Sequence, residues 1–152
     1  MQVVHNRPRR LIWLSQLAYI TKISRLVEKT SINAQTPMRP IELFPREGIA
    51  LAFGISQYQR KVGSILYMAV NTRPDIAFAA SRLARFLTNP GLEHQLAADR
   101  VILYLQRTQG LGLQFGSEDD FIVYSDTSFA NNTLDWKSSQ VYTMKLFGGL
   151  IG

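Results

Sequence analysis

The chain has 152 residues, 46% of them hydrophobic and 11% aromatic, which suits one folded domain, or one domain plus part of another, and is too apolar for a wholly disordered chain. It has no cysteine, which excludes disulfide staples, thiolate zinc centres and cysteine nucleophiles and favours an intracellular setting. The net charge of +6 is unevenly spread: residues 1–61 hold ten Lys/Arg against three acids, whereas residues 62–152 hold seven against eight.

Met1 to Val27 carries Arg7, Arg9, Arg10, Lys22 and Arg25 with no acid, a pattern that a transit peptide shares. Lys22 and Arg25 interrupt the best early apolar stretch, which falls short of the roughly 20 residues a membrane span needs, so no membrane partner is expected. Ser15 is placed to cap a helix from about Gln16 to Glu28, along which Tyr19, Ile20, Ile23 and Val27 recur at three-to-four spacing. Thr30 to Gly54, with Pro37, Pro40, Pro45 and Gly48, reads as a connector.

From Ser56 a second helix is predicted, with Tyr58, Val62, Ile65, Leu66 and Ala69 as its apolar stripe and Gly63 allowing close packing. Thr72-Arg-Pro-Asp75 offers a capping Thr, a Pro preset for the first turn and an Asp that answers back to the cap. The third helix that starts there carries Ile76, Ala79, Ala80, Leu83 and Leu87 and stops at Asn89-Pro90-Gly91. A fourth runs from about Leu92 to Arg107, buries Ala97, Val101, Tyr104 and Leu105, and ends before Gly110 in a left-handed turn. Leu111–Phe115, Phe121–Ser125 and Gln140–Phe147 are then short β-prone runs separated by polar turns. The fold class is α+β: a helical N-terminal two-thirds of about four helices, followed by a short antiparallel β meander.

Between Tyr58 and Phe115 the chain contains Val62-Gly-Ser-Ile-Leu-Tyr67, Thr72-Arg-Pro-Asp-Ile76, Asn89-Pro90, His94 and Arg100-Val-Ile-Leu-Tyr-Leu105 before Gly110. This series is similar to the linker region of Ty1/copia-type retrotransposon polyproteins. Upstream, Ile12-Trp-Leu-Ser-Gln16 with Tyr19, Ile20 and Ile23 resembles the end of that family's reverse transcriptase, around its thumb. Downstream, Tyr124-Ser-Asp126-Thr-Ser-Phe-Ala-Asn-Asn132, Lys137-Ser-Ser-Gln140, Tyr142 and Gly148-Gly149 resembles the first strands of its RNase H, in a form most like fungal members. The resemblance implies three segments: a thumb-like end with a variable connector over 1–57, a helical linker over 58–109 and a truncated RNase H-like β segment over 110–152.

It also implies what is missing. Reverse transcription and RNase H cleavage both depend on metal ions, magnesium in the intact family, held by several carboxylates. The polymerase's Tyr-x-Asp-Asp turn is absent, and the adjacent Asp119 and Asp120 read as a solvated turn that is at most a weak cation site. Asp126 matches the first RNase H carboxylate and ends an apolar strand, but only Asp135 follows it, so the site is vestigial and would hold metal only if another chain completed it. The expectation is a catalytically inactive polyprotein remnant with no bound cofactor.

The alternative is a small basic module for RNA, DNA or an RNA–DNA hybrid, using Arg7, Arg9, Arg10, Lys22, Arg25, Arg60 and Lys61 on phosphates; Trp13, Tyr19 and Tyr58 offer faces for bases, although their helical spacing favours the core. His94 lacks a second ligand at metal spacing, and Ser64, Ser81, Ser125 and Ser128 lack a base and acid for acyl transfer.

Overall fold

The computed structural model describes residues 1–27, 33–116, 120–128 and 138–151. Asp119, Asp135 and the end of the first predicted helix lie outside them. The chain divides into two compact units, one of residues 1–2 and 15–112, the other of residues 3–14 and 113–152.

The first unit is helical. α1 spans Leu17–Ile23 and runs into a 3₁₀ turn at Ser24–Leu26, so the first helix is shorter than its apolar period suggests. α2 spans Ala52–Asn71, α3 Ala77–Ala84 and α4 Leu92–Arg107. A 3₁₀ turn at Pro74–Ile76 links α2 to α3.

The core is where three-to-four spacing puts it. Tyr58, Val62, Ile65 and Met68 of α2 meet Ile76, Ala79 and Leu83 around α3, and Ala98, Val101, Ile102 and Leu105 of α4, with Ile20 and Ile23 of α1. Each large aliphatic side chain so buried contributes about 1.5–3 kcal/mol. The buried Tyr58 donates its hydroxyl proton to the Leu83 carbonyl at 2.8 Å, so it is a core residue and not a base-stacking platform.

Four local expectations are corrected. The Thr72 hydroxyl caps nothing: it is buried without a hydrogen-bond partner among the described residues, and Asp75 turns to Arg73 instead. α3 stops at Ala84, because Arg85 and Phe86 donate their amides three residues back in a closing turn. Gly63 is exposed and permits no close approach, since a Cβ there would meet nothing within 4 Å. Gly110 adopts no positive φ.

The second unit contains strands that apolar period alone did not show. β1 (Gln2–Asn6), β2 (Leu11–Ser15) and β3 (Leu113–Phe115) form one sheet in that order, with β2 and β3 antiparallel and Ile12 opposite Phe115. β4 (Ile122–Ser128), β5 (Ser139–Leu146) and β6 (Gly149–Leu150) form the other, also antiparallel. The predicted meander is therefore divided, its first strand pairing with the N-terminal hairpin. Phe147 (φ 52°) and Gly148 (φ 75°) make the tight β5–β6 turn, both left-handed as a two-residue hairpin of this twist requires. Among the described residues, no helix is long and apolar enough to cross a membrane.

Candidate functional site

Among the described residues, the Thr72-Arg-Pro-Asp75 segment builds the most heavily bonded polar cluster. Arg73 follows α2 directly and is only 1% exposed, so its guanidinium must find partners inside the protein. It clasps Asp75 with two bonds, Nε to Oδ1 at 2.9 Å and Nη2 to Oδ2 at 2.7 Å. The same group donates to the Thr108 carbonyl at 3.1 Å and the Thr108 hydroxyl at 2.6 Å, just past the end of α4. Tyr104 closes the ring, donating to Asp75 Oδ2 at 2.9 Å while its face lies 5.5 Å from the guanidinium carbon.

Burial pushes the Asp75 carboxyl up, but the hydrogen bonds and charge of Arg73, with the Tyr104 hydroxyl, outweigh it and hold the group below the ordinary carboxylate range. Tyr104 is raised by its own burial and by Asp75. Every charge here has a partner, so the cluster fastens α2, α3 and α4 together and leaves no free acid or base.

A second fastening lies at the start of α4. The Asn89 side chain accepts the Ala50 amide proton at 2.8 Å and donates to the Gly48 carbonyl at 2.8 Å, pinning the connector to the turn before α4. His94 is buried with its ring 4.1 Å from that of Phe86, and its Nδ1 accepts the Gly91 amide proton at 2.7 Å. It serves as a cap. Burial lowers its pKa, with the Phe44 backbone and Glu93 acting in the opposite sense.

The predicted phosphate-binding residues fall on several elements. Arg7, Arg9 and Arg10 stand exposed on the turn joining β1 to β2, which the Arg10 amide closes on the Arg7 carbonyl at 3.1 Å. Lys22 and Arg25 are exposed around the end of α1, and Arg60 on α2. Lys61 is the exception: it is 8% exposed, with its ammonium 2.5 Å from Asp99 Oδ1 and bonded to Gln95, so the solvated phosphate ligand inferred from its charge is not presented. Trp13 donates its indole N–H to Gln114, and Tyr19 packs against Tyr67 at 5.0 Å.

Asp126 lies within β4 opposite Val141 and is exposed; the strand runs on past it to Ser128. Among the described residues, no three His, Cys, Asp or Glu side chains converge as a metal-binding group. Sequence reasoning missed the internal roles of Arg73 and Asn89. The available signal was an arginine between the apolar run of α2 and a Pro-Asp pair, a position with little access to water.

The chain is 35% identical over 163 residues to the retrovirus-related Pol polyprotein from transposon TNT 1-94 of Nicotiana tabacum, a match taking in 99% of this chain and 12% of that polyprotein. It is 38% identical over 96 residues to the secreted RxLR effector protein 161 of Plasmopara viticola, covering 62% of this chain and 68% of that protein. The putative transposon Ty5-1 protein of Saccharomyces cerevisiae is 35% identical over 129 residues, covering 82% of this chain and 42% of that one. No family model matches, and no solved structure matches.

Proposed function

We propose that this chain derives from a retrovirus-related Pol polyprotein of transposons, to which it is similar, that it corresponds to the stretch joining the end of the reverse transcriptase to the opening strands of RNase H, and that it catalyses neither reaction alone. The observation that carries this reading is how three carboxylates of the helical unit are used. Asp75 is held by Arg73, Asp99 by Lys61 and Glu42 by Arg82, so each neutralises a cation of the fold. Two-metal phosphoryl chemistry needs several carboxylates converging on one point with charge to spare. The role left to these helices is to space and support the parts on either side.

The test is a metal-dependent assay of the purified chain on a labelled RNA–DNA hybrid, scoring binding and cleavage across a salt series. No cleavage is expected. Cleavage that Asp126→Asn abolishes would overturn the reading, because it would mean that Asp126 sits in a working metal-binding set of carboxylates.

A second reading, binding of nucleic acid without chemistry, is favoured by one feature: Arg7, Arg9 and Arg10 crowd a single exposed turn. Replacing all three with Gln should then reduce the salt dependence of hybrid binding by about 0.9 for each phosphate no longer neutralised, close to three in all. An unchanged slope would remove this reading.

A further inference from the structure

The irregular segment that follows Ala34 and the first half of α4 together line a cleft of about 300 Å³. Met38, Ile41 and Leu43 line it from the connector, Leu96 and Ala97 from the helix. Ile41 is 62% and Leu96 48% exposed, so the cleft is an apolar surface open to water and not a sealed packing defect.

Its edge is charged. Arg39 and Arg100 line it, with Glu93 as the single acid, which leaves the cleft cationic by one charge. Arg100 donates to the Thr36 hydroxyl at 3.1 Å, but neither arginine has a carboxylate partner among the described residues. This differs from Arg73, Arg82 and Lys61, whose charges are each met within the fold.

Apolar exposure continues beyond the cleft. Arg46 donates to the Pro90 carbonyl and Asn89 holds Ala50 and Gly48, so residues 46–50 run beside the start of α4. Ile49 is 90% and Leu92 74% exposed on these adjoining segments. A small ligand would fill the cleft without covering them, whereas a polypeptide would reach both.

We propose that this face docks an acidic amphipathic segment of a protein partner, which seats an apolar side chain against Met38, Ile41 and Leu96 and places carboxylates at Arg39 and Arg100. The assignment is independent of the Pol reading, since it rests on the cleft alone. Apolar insertion supplies the affinity and the two guanidinium groups select the sign of the partner's charge.

The experiment uses the full chain and a fluorescent peptide of Leu, Glu and Ala, with Leu at helical three-to-four spacing, in an anisotropy titration. A Lys-for-Glu counterpart and a leucine-free polyglutamate serve as controls. The acidic amphipathic peptide should bind at least about tenfold more tightly than either control, equivalent to roughly 1.4 kcal/mol. Leu96→Glu and Arg39→Glu, both at exposed positions, should each weaken it several-fold with circular dichroism and thermal unfolding unchanged. Equal binding of the Lys peptide would show unselective apolar adhesion, equal binding of polyglutamate would show charge alone, and wild-type affinity in both variants would place the binding surface elsewhere. Each of these overturns the proposal, as does no binding at all, or displacement of the peptide by a short RNA–DNA hybrid, which would assign the cleft to nucleic acid.

Discussion

Tyr104 donates its hydroxyl proton to the same Asp75 oxygen that the Arg73 Nη2 holds, so that carboxylate fixes a helix and a buried guanidinium at once. Arg73 has a side chain 2% exposed, whereas Asp75 keeps 34% of its own in contact with water. The energetic weight therefore lies on the arginine. Removing Asp75 leaves a buried cation half-satisfied, which costs about 3–5 kcal/mol in comparable pairs. Asp75→Asn and Arg73→Met should each lower stability in urea unfolding towards that range, while Arg73→Met with Asp75→Leu should regain part of the loss. Single losses under about 1 kcal/mol would show that the cluster is ornamental to the fold.

Asn89 makes a more local prediction. Its amide replaces water for the Ala50 N–H and the Gly48 carbonyl, both in a connector with few bonds of its own. Asn89→Ala should cost about 1–3 kcal/mol and speed hydrogen exchange at Ala50 ahead of the α4 amides. Uniform loss of protection throughout the helical unit would show instead that the pin belongs to the global fold.

The helices were legible because their burial is periodic. α4 has the bounds its pattern predicts, and the α2 stripe through Tyr58, Val62 and Ile65 is the core itself. The N-terminal hairpin was not legible. Leu11 to Leu14 is a short apolar run without alternation, the turn before it lacks the usual Gly or Asn, and its partner strand begins about a hundred residues on: Trp13 bonds Gln114 across a separation of 101. Charge misled at Lys61, because a basic residue reads as solvated until its carboxylate is seen beside it. Asp126 was singled out by its surrounding motif, but its place inside β4 depends on a register that pairs it with Val141.

His94 should make stability depend on acid. Its Nδ1 accepts the Gly91 N–H, so the ring must be neutral to cap the helix, and burial already lowers its pKa from the ordinary 6.5. A group lowered on folding takes up more protons unfolded than folded in the interval between the two values. Its contribution is therefore complete above 6.5 and falls away as the pH drops through the folded pKa. Urea midpoints of the wild type should fall more between neutral and mildly acidic pH than those of His94→Gln, which cannot titrate. Parallel curves for the two proteins would sink the assignment.

Two glycines should respond to the same substitution with opposite signs. Gly63 lies on the open surface of α2, where a Cβ meets nothing within 4 Å, and glycine inside a helix is less favourable than alanine by about 1 kcal/mol. Gly63→Ala should therefore raise stability by nearly that amount. Gly116 follows β3 with φ at +107°, a backbone conformation closed to L-residues, and a Cβ there would overlap the Arg10 carbonyl oxygen. The same atom that helps α2 must here move the β1–β2 turn or the backbone after β3. Gly116→Ala should cost more than about 1 kcal/mol, the usual size of a glycine effect where the conformation is compatible. Because Arg10 carries the overlapping oxygen, the loss should be accompanied by shifted amide resonances at Arg9 and Arg10. A silent Gly116→Ala, with those resonances unmoved, would show that the strand and the basic turn do not approach as closely as the backbone path requires.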